Sequence, residues 1–223
     1  MRARVSPGFR APGLWLIALV LGAAAGCASR TPAFGPVGID ESRRALDAWA
    51  TALERADSLG PTRLLYDAKM SEGLVKFPGT LAVDARPGRL EATLTGPFGS
   101  PIARYASGVL EAKGARPIPL EPEELRAVLA GVWRTPARVE GARAGQTLLR
   151  FTGREPVEAV LDVEQARLET LKIERPEAEL VATYSGRVDP WPEKITIEDR
   201  RTGKTLELTL VAKEAAPAPA SEP

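Results

Sequence analysis

The chain has 223 residues, with 30 lysines and arginines against 29 aspartates and glutamates, a single cysteine and no histidine. This near-neutral balance gives no electrostatic footprint for nucleic acid. Without histidine, the chain lacks the usual ligands of zinc and haem sites and the base of Ser/His/Asp and Cys/His catalysis. The composition therefore predicts no cofactor, no metal, no nucleic-acid partner and no enzyme.

The first 26 residues have the pattern of a secretory signal. A basic segment precedes an apolar run from Leu14 to Ala25, which is too short for a membrane span of ~20 residues. Three small residues stand directly before Cys27, a pattern typical of bacterial lipoprotein signals. We expect Cys27 to be lipidated and to become the mature N-terminus; ordinary secretion with an incidental cysteine is the alternative. Position 28 is Ala, so nothing resembles the inner-membrane retention signal of such lipoproteins.

Composition divides the chain into four parts. Residues 1–26 are the predicted signal peptide, and residues 27–39 are the lipidated cysteine and a flexible tether rich in Pro and Gly. Residues 40–213 carry the periodic apolar pattern of one folded domain, and residues 214–223 form a Pro/Ala tail that we expect to be disordered.

The domain begins with a helical pattern and continues with strands. From Asp40 to Ser58 the apolar residues recur at helical spacing, as Leu46, Trp49, Ala50 and Leu53. From Leu64 onward the period changes to two, which is typical of antiparallel strands with one apolar and one solvated face. The clearest alternating sets are Leu81/Val83, Leu90/Ala92/Leu94, Val157/Ala159/Leu161/Val163, Leu180/Ala182/Tyr184, Ile195/Ile197 and Leu206/Leu208/Leu210.

One short helix interrupts the strands at residues 121–131. Pro122 suits its first turn, and Glu121, Glu123 and Glu124 suit the positive end of the helix dipole. We interpret these acids as capping and solvated residues. The predicted fold class is mainly β with helices (α+β): a curved antiparallel sheet whose concave apolar face is covered by the N-terminal helix and this inserted one. The pattern leaves open whether a solid core or a cavity lies between them.

The segment Gly96-Pro97-Phe98-Gly99 is a turn with a bulky aromatic residue near its tip. Pro97 presets the backbone for the second turn position, and Phe98 at the third position favours a type I turn, because a bulky residue avoids positive φ. Two interpretations remain open. Phe98 folds back and plugs one end of the sheet, or it projects toward a membrane, an acyl chain or a partner.

Three segments together resemble the LolB-like outer-membrane lipoproteins, which share the LolA/LolB fold. The segments are Arg89–Ser100, which ends in the Pro-Phe-Gly turn, Arg116–Leu125, with its Pro-Ile-Pro sequence, and Leu129–Trp133. The late segment Asp189–Ile197, a proline leading into a strand, also fits. The resemblance implies an unclosed antiparallel half-barrel, with helices as a lid over a hydrophobic cavity for lipoprotein acyl chains.

Carried over residue by residue, the resemblance implies that Phe98, with Pro97, is an apolar tip contacting a membrane or acyl chain. Inward-facing strand and lid residues would line the cavity: Leu81, Val83, Leu90, Leu94, Leu125, Leu129 and Trp133. The implied partners are membrane lipid through acylated Cys27, lipoprotein acyl chains and a periplasmic carrier protein. The implied location is the bacterial outer membrane, lipid-anchored and facing the periplasm, with exposure on the cell surface left open.

Three functions follow in order of preference. The first is a carrier or receptor that binds lipid or lipoprotein acyl chains in lipoprotein localisation or envelope biogenesis. The second is a structural or scaffolding envelope lipoprotein that docks a protein partner through a sheet edge or the Phe98 turn, without binding lipid. The third, an envelope hydrolase, ranks last because the chain offers only acidic residues and no visible constellation.

Overall fold

Alternating apolar residues produce twelve antiparallel strands. The predicted inward-facing sets, such as Leu90/Ala92/Leu94 and Leu206/Leu208, are buried, while most of their neighbours along each strand are not. The strands are β1 (Thr62–Glu72), β2 (Val75–Arg86), β3 (Arg89–Thr95), β4 (Pro101–Ala106), β5 (Val109–Ala112), β6 (Ala137–Arg143), β7 (Gln146–Phe151), β8 (Val157–Asp162), β9 (Arg167–Glu174), β10 (Glu179–Val188), β11 (Trp191–Asp199) and β12 (Lys204–Ala215).

The structure is a computed structural model that describes residues 33–58, 60–86, 89–106, 109–112, 118–188 and 191–216. Cys27, the predicted signal, the part of the tether up to residue 32 and most of the C-terminal tail lie outside these residues, as do the predicted turns at 87–88, 107–108 and 189–190. The two helices are α1 (Ile39–Asp57) and α2 (Pro122–Ala130). All described elements belong to the unit that begins at Phe34.

The twelve strands form one unclosed sheet in the order β5-β4-β3-β2-β1-β12-β11-β10-β9-β8-β7-β6. The first and last strands of the chain are therefore neighbours in the middle, paired from Thr62 with Ala215 to Glu72 with Lys204. The free edges are β5 and β6, and the chain between them carries α2. This open half-barrel with two helices confirms the predicted fold class.

Antiparallel order places the turns alternately at two ends of the sheet. We call one of them the tip end: it holds the β1–β2 turn at residues 73–74, the β3–β4 turn at 96–100 and the β11–β12 turn at 200–203. The opposite end, the base end, holds the start of β1 and the β6–β7 turn. The segment before α1 joins the sheet near the base end, where Gly35 and Ala142 exchange backbone hydrogen bonds of 3.0 and 3.1 Å.

Helix α1 packs on the sheet through Ala45, Trp49 and Ala52. Trp49 meets Phe151 of β7 edge-to-face, with 5.4 Å between ring centroids. The predicted stripe was wrong at two positions, because Leu46 and Ala50 are exposed. The buried stripe lies one residue earlier on the helix, where small alanines let the helix approach the sheet and leave Trp49 as the main anchor.

Helix α2 begins and ends where the sequence predicts. Glu121 and Glu124 form a capping box, in which each side chain accepts a hydrogen bond from the other's backbone N–H. Gly131 ends the helix in the left-handed conformation, with φ of 64°, as glycine does without a steric penalty. Val128, Leu129 and Val132 are buried under it, so α2 covers part of the concave face.

Candidate functional site

The β3–β4 turn presents Phe98 directly to solvent. The Gly99 N–H donates to the Gly96 carbonyl oxygen at 3.2 Å, and the Gly96 N–H donates to the Ser100 carbonyl oxygen at 2.8 Å. Phe98 is fully exposed, at 103 % of its reference area. The side chain therefore projects and does not fold back onto the sheet.

The backbone of Phe98 corrects the predicted turn type. Its φ of 68° and ψ of 18° lie in the left-handed region, where we expected the negative φ of a type I turn. A phenylalanine there costs about 1–2 kcal/mol relative to glycine. Gly99 follows with φ of 73°, so two successive left-handed residues shape the turn. The turn thus holds a large apolar side chain in water through a strained backbone, and such strain tends to occur at functional sites.

Two glycines bring the turn close to its neighbouring strands. A Cβ added at Gly79 of β2 would lie 2.4 Å from the carbonyl oxygen of Thr95, so only glycine lets β2 pass this close to the turn. A Cβ at Gly96 would meet the Ile102 side chain at 2.8 Å. These two glycines allow the turn to pack tightly against β2 and β4, which fixes the direction in which it projects.

An apolar cavity of about 60 Å³ lies under the segment that leads into α2, close to the tip end. Strand residues Leu81, Leu94 and Leu206 form its floor, and Ile118, Leu120 and Leu125 form its roof. Its other lining residues are Ala92, Ala103, Tyr105 and Ala112. A small apolar gap therefore lies between the sheet and residues 118–125.

The predicted cavity residues separate into three groups. Leu81, Leu94 and Leu125 line the apolar cavity. Leu90 and Trp133 line a larger cleft of about 710 Å³, which lies between β3, β4 and α2 on one side and the β7–β8 turn on the other. The remaining pair, Val83 and Leu129, is buried in the packed core and lines neither of these spaces.

Arg175, which follows β9, holds the start of α2 against the sheet. Its side chain is only 3 % exposed. The guanidinium lies 3.5 Å from the Glu124 carboxylate and 3.6 Å from that of Glu121, and it donates to the Pro119 carbonyl oxygen. One buried cation therefore joins the roof of the apolar cavity to the β9–β10 turn.

Glu124 is buried, at 6 % side-chain exposure, although the sequence predicted only a capping or solvated role for it. Burial raises the pKa of the Glu124 carboxyl above its usual range, and the hydrogen bond from the Glu121 N–H and the charge of Arg175 oppose that shift. No sequence pattern pointed to Arg175, because its importance depends on where the β9–β10 turn lies relative to α2.

Sequence reasoning also missed the β1–β2 turn, where Leu74 is fully exposed at 101 %. Gly73 precedes it with φ of 59°, as is common at the first position of a two-residue hairpin turn. The sequence did contain a pattern that could have identified this turn, because Gly73-Leu74 places a bulky apolar residue in a turn just as the Phe98 segment does. Leu74 and Phe98 lie at the same end of the sheet.

Among the residues that the structure describes, no helix has both the length and the apolar character needed to cross a membrane. Both described helices instead pack against the sheet.

The chain matches no protein-family model and no curated protein sequence. It is similar in structure to a LolA superfamily protein from Nitrosomonas europaea, with a TM-score of 0.54 and 12 % identity over 76 % of this chain and 94 % of that one. It is also similar to a putative outer membrane lipoprotein-sorting protein domain from Vibrio parahaemolyticus, with a TM-score of 0.51 and 12 % identity over 79 % and 95 % of the two chains. At this identity the likeness shows a shared fold.

Proposed function

We propose that this protein is a LolB-like lipoprotein, anchored in the outer membrane through acylated Cys27. In this proposal it binds lipid or lipoprotein acyl chains between its half-barrel and α2, and it acts in lipoprotein localisation or envelope biogenesis without covalent chemistry. The observation that carries the proposal is the apolar cavity under residues 118–125, next to an exposed and strained apolar turn. The LolA-superfamily fold supports it.

The cavity in this structure is too small for an acyl chain, so binding requires the roof to move. The roof is a short segment and a short helix, whereas the floor belongs to a continuous twelve-stranded sheet. Displacing residues 118–125 would join the apolar cavity to the larger cleft, since Tyr105 lines both spaces. An acyl chain entering there would replace the apolar contacts that the roof gives up.

Native mass spectrometry of the domain from Phe34 onward tests acyl-chain binding. All described strands, helices and core residues lie in this part of the chain, which forms its own compact unit. We expect the purified domain to carry lipid, or to take up a diacylated lipopeptide in roughly equal molar amount. A domain that neither retains nor takes up either ligand contradicts the proposal.

Filling the cavity should block binding without unfolding the domain. Ala103 is half-buried and lines the cavity. Ala103→Leu adds three carbons where the acyl chain would lie. Because these carbons take apolar space from the acyl chain, we expect lipopeptide uptake to fall at least about ten-fold. Ala137→Leu, a change of the same kind at a half-buried position of β6, is the matched control. Equal uptake by both variants would place the ligand elsewhere.

The small volume of the cavity also supports a second candidate, a scaffolding lipoprotein with a solid interior that docks a protein partner. Its free edge β5 and the Phe98 turn would be the contact surfaces. Crosslinking in cells to one stable protein, together with a domain that takes up no lipopeptide, would favour this candidate over the carrier.

A further inference from the structure

We propose that the β1–β2 hairpin is a second apolar prong, which acts with Phe98 to insert the tip end into a lipid bilayer carrying negatively charged head groups. This inference rests on the proposed function and deepens it, because it names the bilayer as the partner of the tip end. The hairpin prong comprises residues 69–78, with Leu74 at its turn.

Leu74 and Phe98 are the two most exposed large apolar side chains of the described residues, at 101 % and 103 %. A single exposed apolar residue is ordinary on a protein surface. Here two such side chains are fully exposed at turns of the same end of the sheet, and the half-exposed Val75 and Phe77 follow on β2. Together they form a group that water solvates poorly.

The hairpin prong and the turn that carries Phe98, together the two prongs, both lie at the tip end. Strand β2 leaves the hairpin and pairs with β3, with Thr80 opposite Thr95 just before the Phe98 turn. The Thr95 hydroxyl donates to the Thr80 carbonyl oxygen at 3.2 Å, and Gly79 permits the close approach of β2 to Thr95. The hairpin prong and the Phe98 turn therefore project from the same end of the sheet, on strands that pair with each other.

The hairpin prong extends the apolar face that lines the cavity. On β2 the inward-facing positions alternate, so Val75 and Phe77 continue the row that contains Leu81. Phe77 pairs with Met70, which is buried, while Phe77 and Val75 are about half exposed. An apolar track thus runs from the floor of the cavity out to Leu74.

The charges of the prong suit an anionic surface. Lys69 and Lys76 are exposed, and Lys76 stands between the two apolar residues Val75 and Phe77. Glu72, the acid of this segment, lies 3.4 Å from Lys204, which compensates its charge. Lysines beside projecting apolar side chains are attracted to anionic head groups while those side chains enter the hydrocarbon.

A bilayer fits these features better than a protein groove does. Separate projecting side chains offer little continuous surface for a shape-complementary interface. A fluid hydrocarbon layer needs no such complementarity, because it closes around whatever apolar group enters it. The strained left-handed backbone of Phe98 keeps one such group extended from the turn.

Flotation of the domain from Phe34 onward with vesicles tests the inference. The vesicles contain phosphatidylglycerol and phosphatidylethanolamine at a ratio of one to three. We expect Leu74→Ser and Phe98→Ser each to lower the partition coefficient about ten-fold, as expected for removing one inserted apolar side chain, and the double variant to lower it about a hundred-fold. Val211→Ser removes an exposed apolar side chain of β12 away from the prongs and should leave binding unchanged.

Changing the charge of the lipid head groups gives a second test, which requires only one substitution in the protein. Lys76→Gln should lower the partition coefficient about three- to five-fold on the phosphatidylglycerol vesicles, in line with the loss of one charge near an anionic surface. On vesicles of phosphatidylcholine alone, wild type and Lys76→Gln should bind equally. Equal melting temperatures for all variants would show that the fold is retained.

The inference is overturned if the wild-type domain does not float with the anionic vesicles, or if the double variant floats as well as wild type. Crosslinking of the tip end to a protein without vesicle binding overturns it too. Failure of the proposed function is seen separately, in native mass spectra of the same proteins. If the wild-type domain carries no acyl chain but needs both prongs for flotation, the carrier function is contradicted and the insertion of the prongs into the bilayer is supported.

Discussion

Backbone strain at Phe98 is the clearest functional signal at the scale of single residues. The sequence identified the residue and its unusual place in a turn, but it predicted negative φ, since bulky residues normally avoid the left-handed region. The structure places Phe98 in that region and leaves its side chain in solvent, so local stability would favour another residue at this position. A residue whose backbone conformation and solvent exposure are both unfavourable is expected to serve function and not the stability of the fold.

Replacing Phe98 should therefore stabilise the protein. We expect Phe98→Gly to raise the free energy of unfolding by about 1 kcal/mol, because glycine adopts positive φ without a Cβ penalty. Phe98→Ala retains a Cβ and should change stability much less. Urea unfolding followed by tryptophan fluorescence measures both variants. If Phe98→Gly is less stable than wild type, the side chain packs against the protein and the projecting-tip interpretation is wrong.

At the scale of elements, the segment 118–130 is the part of the concave face that our proposed function requires to move. It is attached to the sheet by Arg175 and a short apolar stripe, whereas each central strand is hydrogen-bonded on both sides. The sequence predicted the helix, its start at Pro122 and its capping acids from local rules. It did not reveal Arg175, because an ion pair between a turn and a distant helix has no local periodicity.

Removing the cation of this attachment should destabilise the domain in a pH-dependent way. Arg175→Met leaves Glu124 buried without its cation, and we expect a loss of about 3 kcal/mol at neutral pH. Burial already raises the pKa of Glu124, so loss of the cation raises it further. A carboxyl whose pKa is higher in the folded state binds a proton on folding, and its destabilising effect disappears as pH falls below that pKa. The deficit of the variant should therefore shrink as the pH is lowered from neutral toward 4.5, the ordinary pKa of a glutamate carboxyl.

Denaturant titrations at several pH values measure this deficit. The double variant Arg175→Met/Glu124→Gln is the control, because it removes the buried carboxylate while the amide oxygen can still accept the capping hydrogen bond. Its loss of stability should be smaller and nearly independent of pH. A deficit of Arg175→Met that stays constant or grows toward acid would show that Glu124 is not the group responsible.

At the scale of the whole molecule, the adjacent β1 and β12 join the two halves of the sheet. Every strand from β5 to β1 is connected to those from β12 to β6 through this one pairing. Strand β12 continues to Ala215, and the Ala216 N–H donates to the Pro61 carbonyl oxygen at 2.9 Å. The paired chain thus runs past residue 213, where we placed the end of the folded domain.

Truncation should distinguish the roles of the last strand and of the residues after it. A chain ending at Ala216 keeps every contact described here, and we expect its melting temperature to equal that of the full chain. A chain ending at Gly203 lacks β12, exposes the edges of β1 and β11, and should fail to fold cooperatively. Circular dichroism melts measure both. Cooperative folding of the shorter chain would show that the two halves of the sheet are independent.

If Cys27 is lipidated and the tip end contacts the bilayer, the two contacts restrict how the domain can lie on the membrane. The segment after the predicted anchor joins the sheet near its base end, and the seven residues from Cys27 to Phe34 span at most about 25 Å. The eleven residues of β1 span about 36 Å at 3.3 Å each. If both the anchor and the tip end contact one bilayer, the strands must therefore lie inclined along its surface.

The sequence by itself determined the periodic elements. Alternation specified the apolar face of each strand, and turn chemistry and capping acids specified the positions of the Phe98 turn and of α2, because each depends on neighbours within a few residues. Only the tertiary structure decided that β1 pairs with β12, that Arg175 meets Glu124, and that Leu74 and Phe98 lie at the same end of the sheet. It also decided the volume left between roof and floor, since packing depends on side chains brought together from distant parts of the chain. These long-range contacts have no period in the sequence, and here they carry the candidate site.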